Sequence, residues 1–236
     1  MSIIVDLHIH SKYSRAVSPK MNLLEIARWA TIKGINVVGT GDWTHPRWFQ
    51  EIITNLKETQ PGSGLYSLKK SKVNFILTVE ISSIYSQGGK IRRVHNLILS
   101  PSITTCKKII NTLEKRGAKL ASDGRPIVGL SSKEILKIIL DVDERAMLIP
   151  CHIWTPWFSL FGSKSGFDSI KECYGEMDKY IYGIETGLSS DPVMNWQIPE
   201  LHTRSILSSS DAHSGAKLGR EATVFVPKIL HSPFSI

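Results

Sequence analysis

His8 and His10 sit on either side of Ile9, just after an apolar run from Ile3 to Val5. Alternate side chains of an extended segment share a face, so these two imidazoles point the same way and make half of a metal site. The same pairing also occurs among ordinary core and surface histidines, so its meaning depends on partners further along. Metal-capable side chains do recur: Asp42 and His45 within Gly39 to His45, then Glu80, His95, His152, Glu185, and Asp211 with His213. Imidazole nitrogens mixed with carboxylate oxygens suit Zn, Mn or Fe, and a carboxylate such as Glu80 can bridge two ions. Singly, Asp42, Glu80 and Asp211 also read as helix caps or solvated strand ends. Glu185 reads equally as a ligand, as a partner behind a ligand, or as a strand-end cap.

Other residues suit contact with a polyanion. Trp154, Trp157, Phe158 and Phe161 put four aromatic rings in eight positions beside His152. Such a run is either an apolar cover or a stacking platform for a base swung out of a duplex. Arg92-Arg93, Lys69-Lys70 and Lys107-Lys108 are solvated pairs or phosphate contacts. Arg220 either orients a phosphate or pairs with Glu221. No compelling Ser-His-Asp or Cys-His arrangement is visible, which agrees with a water nucleophile.

These side chains need a scaffold that brings distant segments together. Hydrophobic spacing predicts strands at Ile3 to Val5, Asn36 to Thr40, Asn74 to Ile81, Val94 to Leu99, Ala146 to Pro150, Ile181 to Glu185 and Ser205 to Ser209, with Thr223 to Val226 as a further candidate. Helices are expected at 22–33, capped by Asn22 and stopped by Gly34, from Pro46 to about Lys57, at 103–116, at 131–140 behind the capping box Ser131-x-x-Glu134, and near 167–172. Gly88-Gly89 marks a hairpin. Seven principal strands, most of them separated by helices, predict an α/β protein built as a βα barrel-like sheet, with its chemistry at the C-terminal strand ends.

The chain has 236 residues, 42% hydrophobic and 21% charged, with 29 basic against 21 acidic side chains and a net charge of +8. One globular domain is the default, and the positive excess suits an anionic partner such as nucleic acid as well as a generally basic surface. Cys106, Cys151 and Cys173 form no Cys-x-x-Cys pair. This suits a reducing cytoplasm and argues against a zinc ribbon within the chain. Neither an export signal nor a membrane-spanning run is expected.

In His8-Ile9-His10, Asp42 within Thr-Gly-Asp, Glu80, His95, His152 and Asp211-Ala212-His213, taken in this order, the chain resembles the PHP (polymerase and histidinol phosphatase) family of metal-dependent phosphoesterases. The resemblance implies a distorted seven-stranded βα barrel over residues 1–226, with two to three divalent ions, Zn, Mn or Mg. It implies that His8, His10, Glu80 and Asp211 hold one ion, that Glu80, His95 and His152 hold a second, and that His213 with the Asp42 segment, including His45, holds a third. Many PHP proteins carry a His or Asp shortly after His-x-His, where this chain has Ser11 to Val17, and Asp-His where this chain has Asp42-Trp43.

Longer words are similar to the endonuclease Q branch of that family. They are His10 to Ala16, Gly41 to Pro46, Ser122-Asp123-Gly124-Arg125-Pro126, His152 to Gly162, Glu185 to Pro192, Ser210 to Ser214 and Lys217 to Ala222. This likeness implies a phosphodiesterase that cuts DNA 5′ of deaminated bases (uracil, hypoxanthine, xanthine) or abasic sites. His8, His10, Glu80, Asp211 and His213 would be catalytic, and Trp154, Trp157, Phe158, Arg93, Arg220 and Glu185 would face the substrate. The branch's zinc and helical modules have no counterpart here, and 227–236 reads as a tail, so a further region or second polypeptide is an expected partner beside lesion-containing DNA. A histidinol-phosphate-type phosphatase and a weakly active DNA-binding fragment are the competing expectations.

Overall fold

The computed structural model describes residues 2–226, so the tail expected at 227–236 lies outside the described residues. The segments expected as strands are found as strands: β1 (Ile3–Asp6), β2 (Val37–Gly39), β5 (Asn74–Gln87), β6 (Lys90–Ser100), β8 (Met147–Pro150), β9 (Gly183–Glu185), β10 (Ser205–Leu207) and β11 (Thr223–Phe225). Three short strands were not foreseen, β3 (Leu56–Glu58), β4 (Tyr66–Leu68) and β7 (Ile127–Val128). Each has only two or three residues, too few for a period-2 pattern to show.

The helices are α1 (Leu23–Lys33), α2 (Pro46–Asn55), α3 (Ile103–Lys115), α4 (Ser132–Val142), α5 (Ile170–Tyr174) and α6 (Pro192–Asn195). Asn22 caps α1 by accepting from the Glu25 N–H, and Gly34 ends it in the left-handed region at φ 74°. Ser131 and Glu134 form the expected capping box on α4. The second helix stops two residues early because Leu56 turns extended and pairs with Leu68. Among the described residues no helix is long and apolar enough to cross a membrane.

The fold is α/β with a mixed sheet, and the expected barrel is not found closed among the described residues. β5 is its hub: it runs parallel to β2 and β7 and antiparallel to β4 and β6. β1 joins β2 in parallel and takes β11 as an antiparallel edge, while β8 lies antiparallel on β6. β9 and β10 form a separate parallel pair. Among the described residues no ladder closes the ring. β8 ends at Pro150, which has no N–H to donate, and beyond it only Ile153 N–H reaches the Glu185 carbonyl, at 3.1 Å. On the other side, Ile9 and Ala212 make an isolated parallel bridge.

Strand alternation decides what faces the chemistry. Phe75, Leu77, Val79 and Ile81 of β5 pack into the main core with Ile26 and Ala30 of α1, Ile109 of α3 and Ile135 of α4. Glu80 therefore lies on the opposite face, and by the same rule His95 shares a face of β6 with Leu97. Leu97 belongs to a smaller apolar cluster with Val5, Leu7, Val37, Ile149 and Cys151.

Candidate metal centre

Of the six expected ligands, Glu80 and His95 lie in β5 and β6, while His8 and His10 follow β1, His152 follows β8 and Asp211 follows β10; the other five gather around Glu80, which is buried. The two carboxylate oxygens of Glu80 face different groups. Oε2 lies 3.6 Å from His8 Nε2 and 3.3 Å from His10 Nε2, and His10 Nε2 is 3.1 Å from Asp211 Oδ1. Oε1 lies 2.5 Å from His95 Nδ1 and 3.2 Å from His152 Nε2. His8 with His10 and Asp211, and Glu80 with His95 and His152, are each close enough to share an ion. His8 Nε2 is buried without a hydrogen-bond partner, 3.7 Å from Asp211 Oδ1. Two ligands each about 2.1 Å from one ion stand roughly 3–4 Å apart, so an orphaned nitrogen at these distances fits a divalent ion better than it fits a hydrogen bond.

The imidazoles are held from behind. His8 Nδ1 bonds Glu185 Oε2 at 2.9 Å, and the same carboxylate accepts the His152 N–H. His10 Nδ1 bonds Asp42 Oδ1 at 3.1 Å, and His152 Nδ1 meets Thr155 Oγ1 at 3.1 Å. A carboxylate on one ring nitrogen leaves the other as the lone-pair donor. Electrostatics follow from this crowding. Burial alone would favour neutral rings, but Glu185 and Glu80 outweigh it at His8, and Asp42 and Asp211 outweigh it at His10, so both pKa values stand well above the ordinary imidazole value. Burial likewise opposes ionised Glu80, yet His95 and His8 hold it well below the usual carboxylate range. At His95 burial wins and its pKa falls.

Asp42, His45 and His213 join no such donor group among the described residues. Both Asp42 oxygens are occupied: Oδ1 by His10, and Oδ2 by Ser11 N–H at 2.6 Å, Ser11 Oγ at 2.7 Å and Ser14 Oγ at 2.9 Å. Ser11 and Ser14 stand in the stretch where a His or Asp was expected and serve Asp42 instead. His45 caps α2 by position and stacks on Tyr13 at 4.4 Å. His213 sits at the rim, half-buried, its ring 4.7 Å from His10, with Nδ1 donating to the Asp211 carbonyl. Asp42, His152 and Asp211 all have positive φ, at 51°, 29° and 46°. Non-glycine residues seldom adopt this region, and such strain gathers at functional sites.

No family model matches the chain. An uncharacterized protein of Methanocaldococcus jannaschii is 35% identical over 166 residues, covering 70% of this chain and 18% of that protein. The lesion-specific endonuclease PfuEndoQ from Pyrococcus furiosus superposes with a TM-score of 0.83 at 35% identity, over 98% of this chain and 54% of its own. Endonuclease Q in complex with a 27-mer duplex bearing an abasic lesion at the active site gives 0.83 at 36% identity, over 95% of this chain and 53% of its own. The chain is a relative of endonuclease Q. It spans about half the length of those endonuclease Q chains.

In this endonuclease Q relative the expected substrate-facing residues divide. Trp157 is 48% exposed, and Arg93 lies over its ring at 4.9 Å. Phe158, at φ 60°, stands 4.7 Å from the His95 ring. Trp154 instead donates its indole N–H to Asn195 Oδ1 and packs on Phe161. Glu185 is buried behind His8 and cannot reach a substrate. Arg220 donates to the carbonyls of Ser210 and Asp211, tying down the loop that presents Asp211. Arg92 is buried on Glu172 and Phe167, which removes it from the phosphate candidates. Two site neighbours were not foreseen. Cys151 lies within ligand distance of His8 and Glu80, although burial pushes its thiol well above the ordinary value. Arg125, inside the word Ser122 to Pro126, reaches Glu80 Oε2 at 3.3 Å.

Proposed function

We propose that this chain is a metal-dependent phosphodiesterase of the endonuclease Q type, cutting the DNA backbone 5′ of a deaminated base or at an abasic site. The observation that carries this reading is Glu80, whose two oxygens are divided between two imidazole-bearing donor groups. In this assignment His8, His10, Asp211 and Glu80 hold one divalent ion, and Glu80, His95 and His152 hold a second. Ions held there would supply Lewis acidity to a water nucleophile and to the phosphoryl oxygens. The protein's own part is orientation. Glu185 and Asp42 aim the His8 and His10 rings, and the strained backbone at His152 and Asp211 holds those side chains over Glu80. His213, with Nδ1 committed to a carbonyl, keeps Nε2 for proton exchange at the rim. Trp157, Phe158 and Arg93 form a stacking and cationic edge on which an unstacked base and its phosphate can rest. The substrate class is supported by the abasic lesion that lies at the active site in the endonuclease Q complex with duplex DNA.

The test is to incubate the purified chain and Mn with duplexes containing uracil, an abasic site or neither, and with a phosphomonoester. Nicking of the lesion duplexes is expected, with slower cutting of intact DNA. Cleavage of the phosphomonoester alone would favour the small-substrate phosphatase. His8→Ala or Asp211→Ala should lower cutting by at least about a thousandfold while circular dichroism stays native. A variant still cutting at the native rate sinks the assignment.

A further inference from the structure

Among the described residues Arg125 is the one cation other than histidine that pairs with the carboxylate of a candidate ligand, and the chain around it is locked. The Asp123 carboxylate accepts the Arg125 N–H at 3.1 Å, and the Gly124 N–H bonds the Tyr13 carbonyl at 3.0 Å. The Pro126 carbonyl accepts the Ser82 N–H from β5 at 3.0 Å, just before β7 pairs with the same strand. Gly124 is pressed so closely on Asp42 that a Cβ there would collide with the Asp42 carboxylate and the Ser14 hydroxyl. Arg125 thus rides on a bracket fixed to the carboxylate that aims His10 and to the strand that carries Glu80.

Its side chain is 27% exposed and makes one contact with a carboxylate, NH1 on Glu80 Oε2. That oxygen also faces His8 and His10, so a cation taken up there competes with Arg125 for it. The guanidinium carries five donors in a planar fork that matches phosphate geometry, and Glu80 engages only part of it.

Resting on the phosphodiesterase reading above, we propose that Arg125 binds the non-bridging oxygens of the substrate phosphate, docking on Glu80 until substrate arrives. No covalent step is involved: the fork exchanges one anionic oxygen for others and stabilises the charge that develops on them.

The experiment compares wild type, Arg125→Gln and Arg125→Lys, all loaded with Mn, by calorimetric titration of inorganic phosphate and by kinetics on an abasic duplex. Arg125→Gln should weaken phosphate binding at least tenfold and lower kcat/KM about a hundredfold, with the Mn stoichiometry unchanged. Arg125→Lys, which keeps the charge and loses the fork, should fall between. Wild-type phosphate binding in Arg125→Gln, or recovery of full activity merely by adding more Mn, overturns the proposal, since either result leaves Arg125 as a neutraliser of Glu80. If Arg125→Gln does not fold, Arg125→Lys decides: phosphate binding several-fold weaker supports the role and unchanged binding refutes it. Loss of phosphate binding in a chain that cuts no substrate would keep the anion site and refute the nuclease reading instead.

Discussion

Glu185 reaches no solvent, yet it sets which nitrogen of His8 is available. Its carboxylate holds Nδ1 and also ties the His152 backbone, so one buried side chain orients two candidate ligands. Glu185→Gln keeps the shape and removes the charge. Metal affinity should fall about 10–100-fold with the melting temperature of the metal-free protein little changed, as read by competition with a chelating dye. Proton balance gives a second prediction. In the metal-free protein the neighbouring carboxylates raise His8 and His10, so these rings hold protons above the ordinary imidazole range. A metal must displace those protons, so binding should release them and affinity should fall as pH falls. The sign is the same for folding: raised histidines stabilise the metal-free fold below about pH 6.5, and that contribution fades as pH rises through their folded values. Titrations in buffers of different ionisation enthalpy would show the release, and a buffer-independent heat would contradict it.

The segment from Trp154 to Phe161 joins two kinds of aromatic residue. Trp154 is a structural ring, bonded to Asn195 and packed on Phe161, whereas Trp157 stands out in solvent under Arg93. Trp154→Ala should cost roughly 2–3 kcal/mol of stability, less than a fully buried tryptophan because the ring is only partly buried. Trp157→Ala should leave thermal stability unchanged and weaken binding of abasic duplex by about 1–3 kcal/mol, the worth of one stacked base. Fluorescence anisotropy and thermal melting separate the two outcomes. Equal loss of stability in both variants would refute the division. The sequence marks all four rings alike, because hydrophobicity does not tell a ring that caps a core from one that awaits a base.

For the whole molecule, the +8 charge predicts that DNA binding weakens steadily with salt, log K falling linearly with log salt concentration. A flat response would mean that the surface charge is not engaged. Much of the plan was legible in the chain itself. Long periodic segments announced the helices and the main strands, and Asn22 and Ser131 marked helix starts through their own side chains. The candidate ligands His8, His10, Glu80, His95, His152 and Asp211 were also legible, because few side chains can hold a divalent ion, and the structure brings them together. These are local properties, carried by residue type and spacing. What only the tertiary structure decided is how the distant segments meet. Asp42 meets Ser11, Ser14 and His10 across a fold-dependent contact, which gives it a supporting role behind His10 that its type and spacing do not announce. Glu185 and Arg92 withdrew from the substrate face because burial is set by packing, and Arg125 entered the site through a loop with no periodicity of its own. The ring of strands stayed open for a similar reason, since ladder closure depends on the three-dimensional course of the chain around Pro150, which no window of sequence contains.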